Sequence, residues 1–183
     1  MLGIVFTEFA EMVETAFSED VLDDVLDAPG LSTEGAFTSV GYYNHKDMII
    51  MVTALSEVTG VPVDDLVTAF GKHLFSKLIA KYPTLVAPHS DLLSFLEVVD
   101  GVVHEEVMKL YPRAELPVFQ TERKSEHNLL MRYQSKRPFS RLALGLIHGA
   151  AEHFDTNIDV SFQSEDSDIL YSTLFDIRIK HDG

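Results

Sequence analysis

The sequence predicts an α+β fold, a helical N-terminal subdomain followed by an antiparallel β-sheet subdomain that carries one helix. Three observations lead there. Apolar residues recur at helical spacing from Gly3 to Tyr111, the period shortens to strand-like alternation after Pro117, and one further helical stripe opens at Pro138 among the strands.

Ile4, Val5, Phe9, Met12, Val13, Ala16 and Phe17 form the first stripe, over Gly3–Phe17. Ser18 caps a second, acidic helix that runs to about Asp27, where Pro29-Gly30 ends it. Its acids, Glu19, Asp20, Asp23, Asp24 and Asp27, lack the alternating spacing and central glycine of a calcium loop and read as a solvated face. Residues 31–43 read as loop. Asn44 opens a third helix through Met48, Met51, Val52 and Leu55 to Gly60. Pro62 stands in the first turn of a fourth, where its missing N–H costs little, and the stripe Leu66, Phe70, Leu74, Leu78 runs on to Tyr82-Pro83.

Ser90, ahead of Leu92, Leu93, Phe95 and Leu96, signals the next start, and Pro112 the stop. Asp100-Gly101 interrupts between them, because glycine costs about 1 kcal/mol in a helix interior relative to alanine. The helix is expected to bend or restart at Gly101. His104, Val107, Met108 and Tyr111 then share one face. Beyond Pro117, Val118–Glu122 and Asn128–Gln134 predict a hairpin joined by the polar run 123–127, and 157–163 and 169–180 predict two more strands.

Composition sets bounds on function. With 183 residues the chain is long enough for one domain with a substantial core or cofactor cavity. A net charge of -15 repels phosphate backbones and argues against nucleic acid as a partner. No apolar run approaches the ~20 residues of a membrane span, and the start carries acids at Glu8 and Glu11 in place of a basic signal region, so a cytoplasmic location is expected. The absence of cysteine excludes disulfides, thiolate catalysis, iron–sulfur clusters and cysteine-held zinc. Any metal must be held by His, Asp, Glu, Tyr or Met.

Two stretches carry chemistry. His104, flanked by apolar neighbours, reads from its own segment either as an axial metal ligand or as a half-buried structural histidine. In Met131–Pro138, strand alternation puts Tyr133, Ser135 and Arg137 on one face, two hydroxyls and a guanidinium suited to a carboxylate or phosphate. Pairing of Arg137 with a surface acid is the alternative.

A His in an interrupted helix, Leu116-Pro117 before a strand, then Tyr-x-Ser-x-Arg, in a chain of this length opening Met-x-Gly, resembles the H-NOX family of haem nitric oxide/oxygen-binding domains. The resemblance implies haem b held between a distal helical part, about 1–60, and a part made of the proximal helix and sheet, about 61–183. It puts the axial iron ligand at His104, the propionate clamp at Tyr133, Ser135 and Arg137, and the porphyrin-packing proline at Pro117. The distal positions that carry a hydrogen-bonding trio in oxygen-binding members fall here on Phe9, Leu74 and Leu142, with Leu78 beside them in the pocket wall, and none of these can donate. The resemblance therefore implies a non-enzymatic sensor that binds nitric oxide, and carbon monoxide more weakly, and excludes oxygen. It signals by breakage of the His104–iron bond to a histidine kinase or cyclic-di-GMP enzyme. The competing readings are a haem protein with an oxygen- or redox-sensing role and a haem-free anion-binding module.

Overall fold

The computed structural model describes residues 1–165, 167 and 169–180. Helices α1 (Gly3–Ala16), α2 (Glu19–Leu26), α3 (His45–Thr59) and α4 (Val63–Lys81) come first. They are followed by α5 (Leu92–Glu97), a π-helical turn (Val99–Val103) and α6 (His104–Leu110). Strands β1 (Val118–Ser125) and β2 (Asn128–Ser135), helix α7 (Ser140–His153) and strands β3 (Ile158–Ser164) and β4 (Tyr171–Ile179) complete the chain. The α+β order expected from the change of period is the order observed.

Local chemistry accounts for the element ends. Ser18 Oγ accepts from Val21 N at 3.2 Å and Asn44 Oδ1 from Lys46 N at 3.0 Å, satisfying amides that a helix start leaves unpaired. The acids of α2 are exposed, as a solvated face requires. Gly60, at φ 72°, closes α3 in the left-handed conformation that favours glycine. The cap of α5 is Asp91 and not Ser90: Asp91 Oδ1 accepts from Ser94 N at 2.9 Å, and a carboxylate at this end also meets the positive pole of the helix.

The interruption expected at Gly101 takes the form of a π turn. Val103 N reaches back five residues to Val98 O at 3.4 Å, while Val102 N holds Val98 O at 2.8 Å. Nothing lies within 4 Å of where a Gly101 side chain would stand, so glycine here weakens the helix by propensity and not by making room. π turns are rare and collect at functional sites.

The four strands form an antiparallel sheet in the order β1-β2-β4-β3. Leu129, Met131 and Tyr133 of β2, with Phe175 and Ile177 of β4, point to one face, and α7 covers it with Ala143, Leu144, Ile147 and Ala150. The hairpin turn is tighter than the sequence suggests, because β1 continues through Arg123 to Ser125. These residues are polar since β1 is an edge strand, where charge also discourages pairing with another chain. Arg123 Nη2 pairs with Glu97 Oε2 of α5 at 2.9 Å.

Two hydrophobic cores result. The first joins α1, α2, α3 and the front of α4 through Phe6, Phe9, Met51, Leu55, Phe70 and Leu74. The second joins the sheet, α5, α7 and Phe75 of α4. Helix α4 thus contributes to both cores. α4 and α7 cross with their backbones in contact. A Cβ on Gly145 would lie 2.1 Å from the Thr68 carbonyl oxygen and 2.7 Å from Gly71 Cα, and one on Gly71 would lie 2.5 Å from the Leu142 carbonyl oxygen.

Candidate functional site

Between the two cores lies a cavity of about 290 Å³, near the lower end of the ~300–1,000 Å³ common for ligand pockets. One wall is hydrocarbon from three helices: Ile4 and Val5 of α1, Leu78 of α4, and Leu142 and Leu146 of α7. Facing groups come from α6 and the sheet, with His104, Val107, Phe119 and Tyr133 among them, and Leu116-Pro117 lines the connection. His104 is the only histidine among the described residues that line it.

The π turn sets where His104 stands. It is the first residue of α6, with its side chain 16% exposed and Nδ1 3.6 Å from Asp100 Oδ1. That distance is long for a hydrogen bond but well within ion-pair reach. The same Asp100 oxygen accepts from Phe119 N at 2.8 Å, so one carboxylate addresses both the imidazole and the start of β1. The His104 ring lies against the Phe119 ring, centroids 5.7 Å apart. Burial lowers the His104 pKa, with Asp100 opposing, which keeps the ring neutral near neutral pH. With its proton on Nδ1, facing Asp100, the ring has its lone pair on Nε2.

Of the face expected on α6, Val107 and Tyr111 line the cavity, whereas Met108 does not and is 39% exposed. Tyr111 and Tyr82 bond to each other through their hydroxyls at 3.0 Å.

Tyr133 and Ser135 at the end of β2 and Arg137 in the turn beyond it line the cavity mouth together. Their hydroxyls have a local task too. Tyr133 Oη donates to the Arg137 carbonyl at 3.2 Å and Ser135 Oγ accepts from Arg137 N at 3.1 Å, fixing the turn from which the guanidinium projects. Arg137 Nη1 donates to the Glu115 carbonyl at 3.3 Å, and Nη2 meets the Glu115 carboxylate. The mouth continues into a polar recess of about 440 Å³ whose lining includes His45, Arg113, Glu115 and Arg137.

Phe9 and Leu74, expected in the distal wall, stand behind the cavity surface. Both are buried in the first core and do not line the cavity; Val5 and Leu78, one helical turn away on the same faces, do. Phe9 packs edge-on against Phe70 at 5.1 Å. Leu78 and Leu142 line the cavity. Asp100 was readable as the fourth residue before His104, but Glu115 and Arg113 carry no local signal, since only the fold brings them to Arg137. His181 lies outside the described residues.

Among the described residues no cluster of three or more His, Cys, Asp or Glu is arranged to hold a metal ion. A lone neutral imidazole in an apolar cavity, with a guanidinium at the mouth, suits a metal that arrives with its equatorial ligands already in place and carries carboxylates on its rim. An iron porphyrin has that chemistry.

The comparisons with known proteins agree. The family described as "Haem-NO-binding" matches residues 2–162. An unliganded Fe(II) H-NOX protein from K. algicida superposes with a TM-score of 0.93 at 34% identity, covering 100% of this chain and 98% of that one. An IWP-051-bound Fe(II)CO H-NOX from Shewanella woodyi superposes with a TM-score of 0.83 at 40% identity, covering 100% and 96%. The Caenorhabditis elegans soluble guanylate cyclase gcy-31 is 25% identical over 99% of this chain and 25% of its own length. The chain spans about a quarter of the first curated relatives it matches. No helix among the described residues is long and apolar enough to cross a membrane.

Proposed function

The chain belongs to the haem-NO-binding family of gas-sensor domains, and from that premise we propose that it senses nitric oxide through haem b, whose iron His104 would hold and against which Pro117 would pack. The observation that carries this reading is a single, largely buried histidine, His104, in a cavity that α1, α4 and α7 line with the hydrocarbon of Ile4, Val5, Leu78, Leu142 and Leu146. Haem, when bound, supplies a ferrous iron able to take a diatomic gas.

The residues supply selectivity. Ile4, Val5, Leu78, Leu142 and Leu146 exclude water and offer no N–H or O–H to a gas in the cavity. A gas that becomes negatively polarised on binding, as oxygen does, forgoes a charge-assisted hydrogen bond of roughly 1.5–3 kcal/mol, about ten- to a hundredfold in affinity. Nitric oxide forgoes far less, and carbon monoxide binds more weakly than nitric oxide.

Signalling rests on His104 being held or let go. A ligand shifts a two-state protein only by its differential affinity for the states, and the tether at His104 is the element that differs. Asp100 passes the change on, because the carboxylate beside the imidazole also grips β1. The output is read by a partner, a histidine kinase or a cyclic-di-GMP enzyme, and the chain itself acts as a sensor without catalysing a reaction.

The deciding experiment is the absorption spectrum of protein expressed with haem supply, reduced without oxygen, then given nitric oxide or air in separate samples. A ferrous haem band that changes on nitric oxide and gives no stable oxygen adduct in air is expected. A stable form that depends on oxygen would overturn the selectivity, and a colourless protein the whole reading.

Asp100 is expected to act as a positioning residue. Asp100→Asn removes the charge beside His104 but keeps an acceptor for Phe119 N, whereas Asp100→Ala removes both. Both variants should lose haem about 10- to 100-fold more readily, and only Asp100→Ala should speed exchange of the Phe119 amide proton. Wild-type haem retention in Asp100→Asn would rule the positioning role out.

A further inference from the structure

Five of the six arginines hold a carboxylate: Arg123 with Glu97, Arg132 with Glu165, Arg137 with Glu115, Arg141 with Asp64 and Arg178 with Asp176. Arg113 has no carboxylate in ion-pair reach among the described residues, in a chain whose 29 acids outnumber its 14 basic residues. Its guanidinium is instead laid over the Tyr42 ring, 4.4 Å from the centroid, and it lines both the cavity and the polar recess that it shares with Arg137 and His45. Stacking pre-orders an arginine and leaves the edge of its fork open to an anion.

The other half of the recess is charge-matched by a removable group. Arg137 is sunk in the mouth, its side chain 16% exposed, while the Glu115 carboxylate that meets it is 78% exposed and tethered by its own backbone. An exposed carboxylate stays largely hydrated and screened within the pair, so it gives up little by letting go and its pairing with Arg137 is exchangeable. The recess thus presents two guanidiniums and the Met1 ammonium, which donates to the Tyr43 carbonyl at 2.6 Å, to one exposed carboxylate.

We propose that the mouth is a two-seat receptor for a dicarboxylate ligand: Arg137 takes one carboxylate in exchange for Glu115, and Arg113, steadied by Tyr42 and with His45 beside it, takes the second. Resting on the haem reading above, this assigns Arg113 to the second propionate and makes Glu115 a placeholder that competes with the first. A ligand with two carboxylates removes the charge mismatch, and one without them leaves it.

The test is the rate at which haem leaves the loaded protein for an excess of a scavenging globin, measured for wild type, Arg113→Gln and Glu115→Gln with haem and with its dimethyl ester. With haem, Arg113→Gln should lose the group about tenfold faster, the worth of a charge-assisted hydrogen bond, and Glu115→Gln several-fold more slowly. With the ester, whose carboxylates are blocked, all three proteins should lose it at one rate. Equal rates for wild type and Arg113→Gln with free haem would overturn the second seat. Acceleration by Arg113→Gln of both forms alike would reduce Arg113 to a structural partner of Tyr42. Wild-type protein that takes up neither form would remove the haem reading itself, an outcome distinct from the other two.

Discussion

Replacing His104 with glycine is expected to abolish retention of haem in purified protein, and millimolar imidazole to restore it. His104 is the only histidine among the described residues that line the cavity, so no neighbour can take over its bond. Loss of groups that merely orient a metal ligand costs about 10- to 100-fold in affinity, and loss of the ligand itself should exceed that range. The cost to the fold is small by comparison. A glycine in the first turn of α6 should destabilise by about 1 kcal/mol, or 2–4 °C in Tm for a chain of this size. The gap left by the side chain admits free imidazole, which can hold the metal but cannot pull on α6. The rescued variant should therefore address a partner as the gas-loaded protein does. Haem retained by the glycine variant with an unaltered spectrum would show that another residue is the ligand.

The second large effect is mechanical. Gly145→Ala should lower stability by roughly 2 kcal/mol, read as a fall of about 4–8 °C in Tm. The added carbon would sit 2.1 Å from the Thr68 carbonyl oxygen, and α4 and α7 would have to part by roughly 1 Å or more to reach an ordinary ~3.5 Å contact. Alanine's better helix propensity returns up to about 1 kcal/mol, which does not offset a clash against the α4 backbone at both Thr68 and Gly71. Gly101→Ala is the matched control: with nothing within 4 Å, propensity alone acts, and stability should hold or rise. Because α7 also brings Leu142 and Leu146 to the cavity, Gly145→Ala should change gas affinity as well as Tm. Equal melting of the two variants would mean that the helix crossing adjusts without strain.

The elements were legible wherever periodicity and capping act locally. The helical stripes, the shift to alternation after Pro117, the caps at Ser18 and Asn44 and the break before His104 all follow from residues within a turn or two of one another. Strand alternation puts Tyr133 and Ser135 on one face, whereas Arg137 lies past the end of β2 and is placed by the turn that their hydroxyls hold. Periodicity fixes which face of a helix is buried but not how far along that face a cavity lies, so Phe9 and Leu74 stood one turn away from Val5 and Leu78. The polar residues of β1 hid an edge strand because neither of their faces needs to be apolar. Arg113 and Glu115 are separated from Arg137 by more than twenty residues, and only the pairing of β1 with β2 brings that segment to the mouth.

The π turn before α6 has a consequence for how a rigid element can reorient. A residue inserted into a helix advances everything after it by about 100°, since 3.6 residues make a full turn. The bulge over Val99–Val103 is such an insertion, and His104 is the first residue beyond it. A shift of the bulge one position towards the C-terminus, so that it takes in His104, would turn the imidazole through a large arc while Leu92–Glu97 stayed anchored by Leu92, Leu93, Phe95 and Leu96 in the second core.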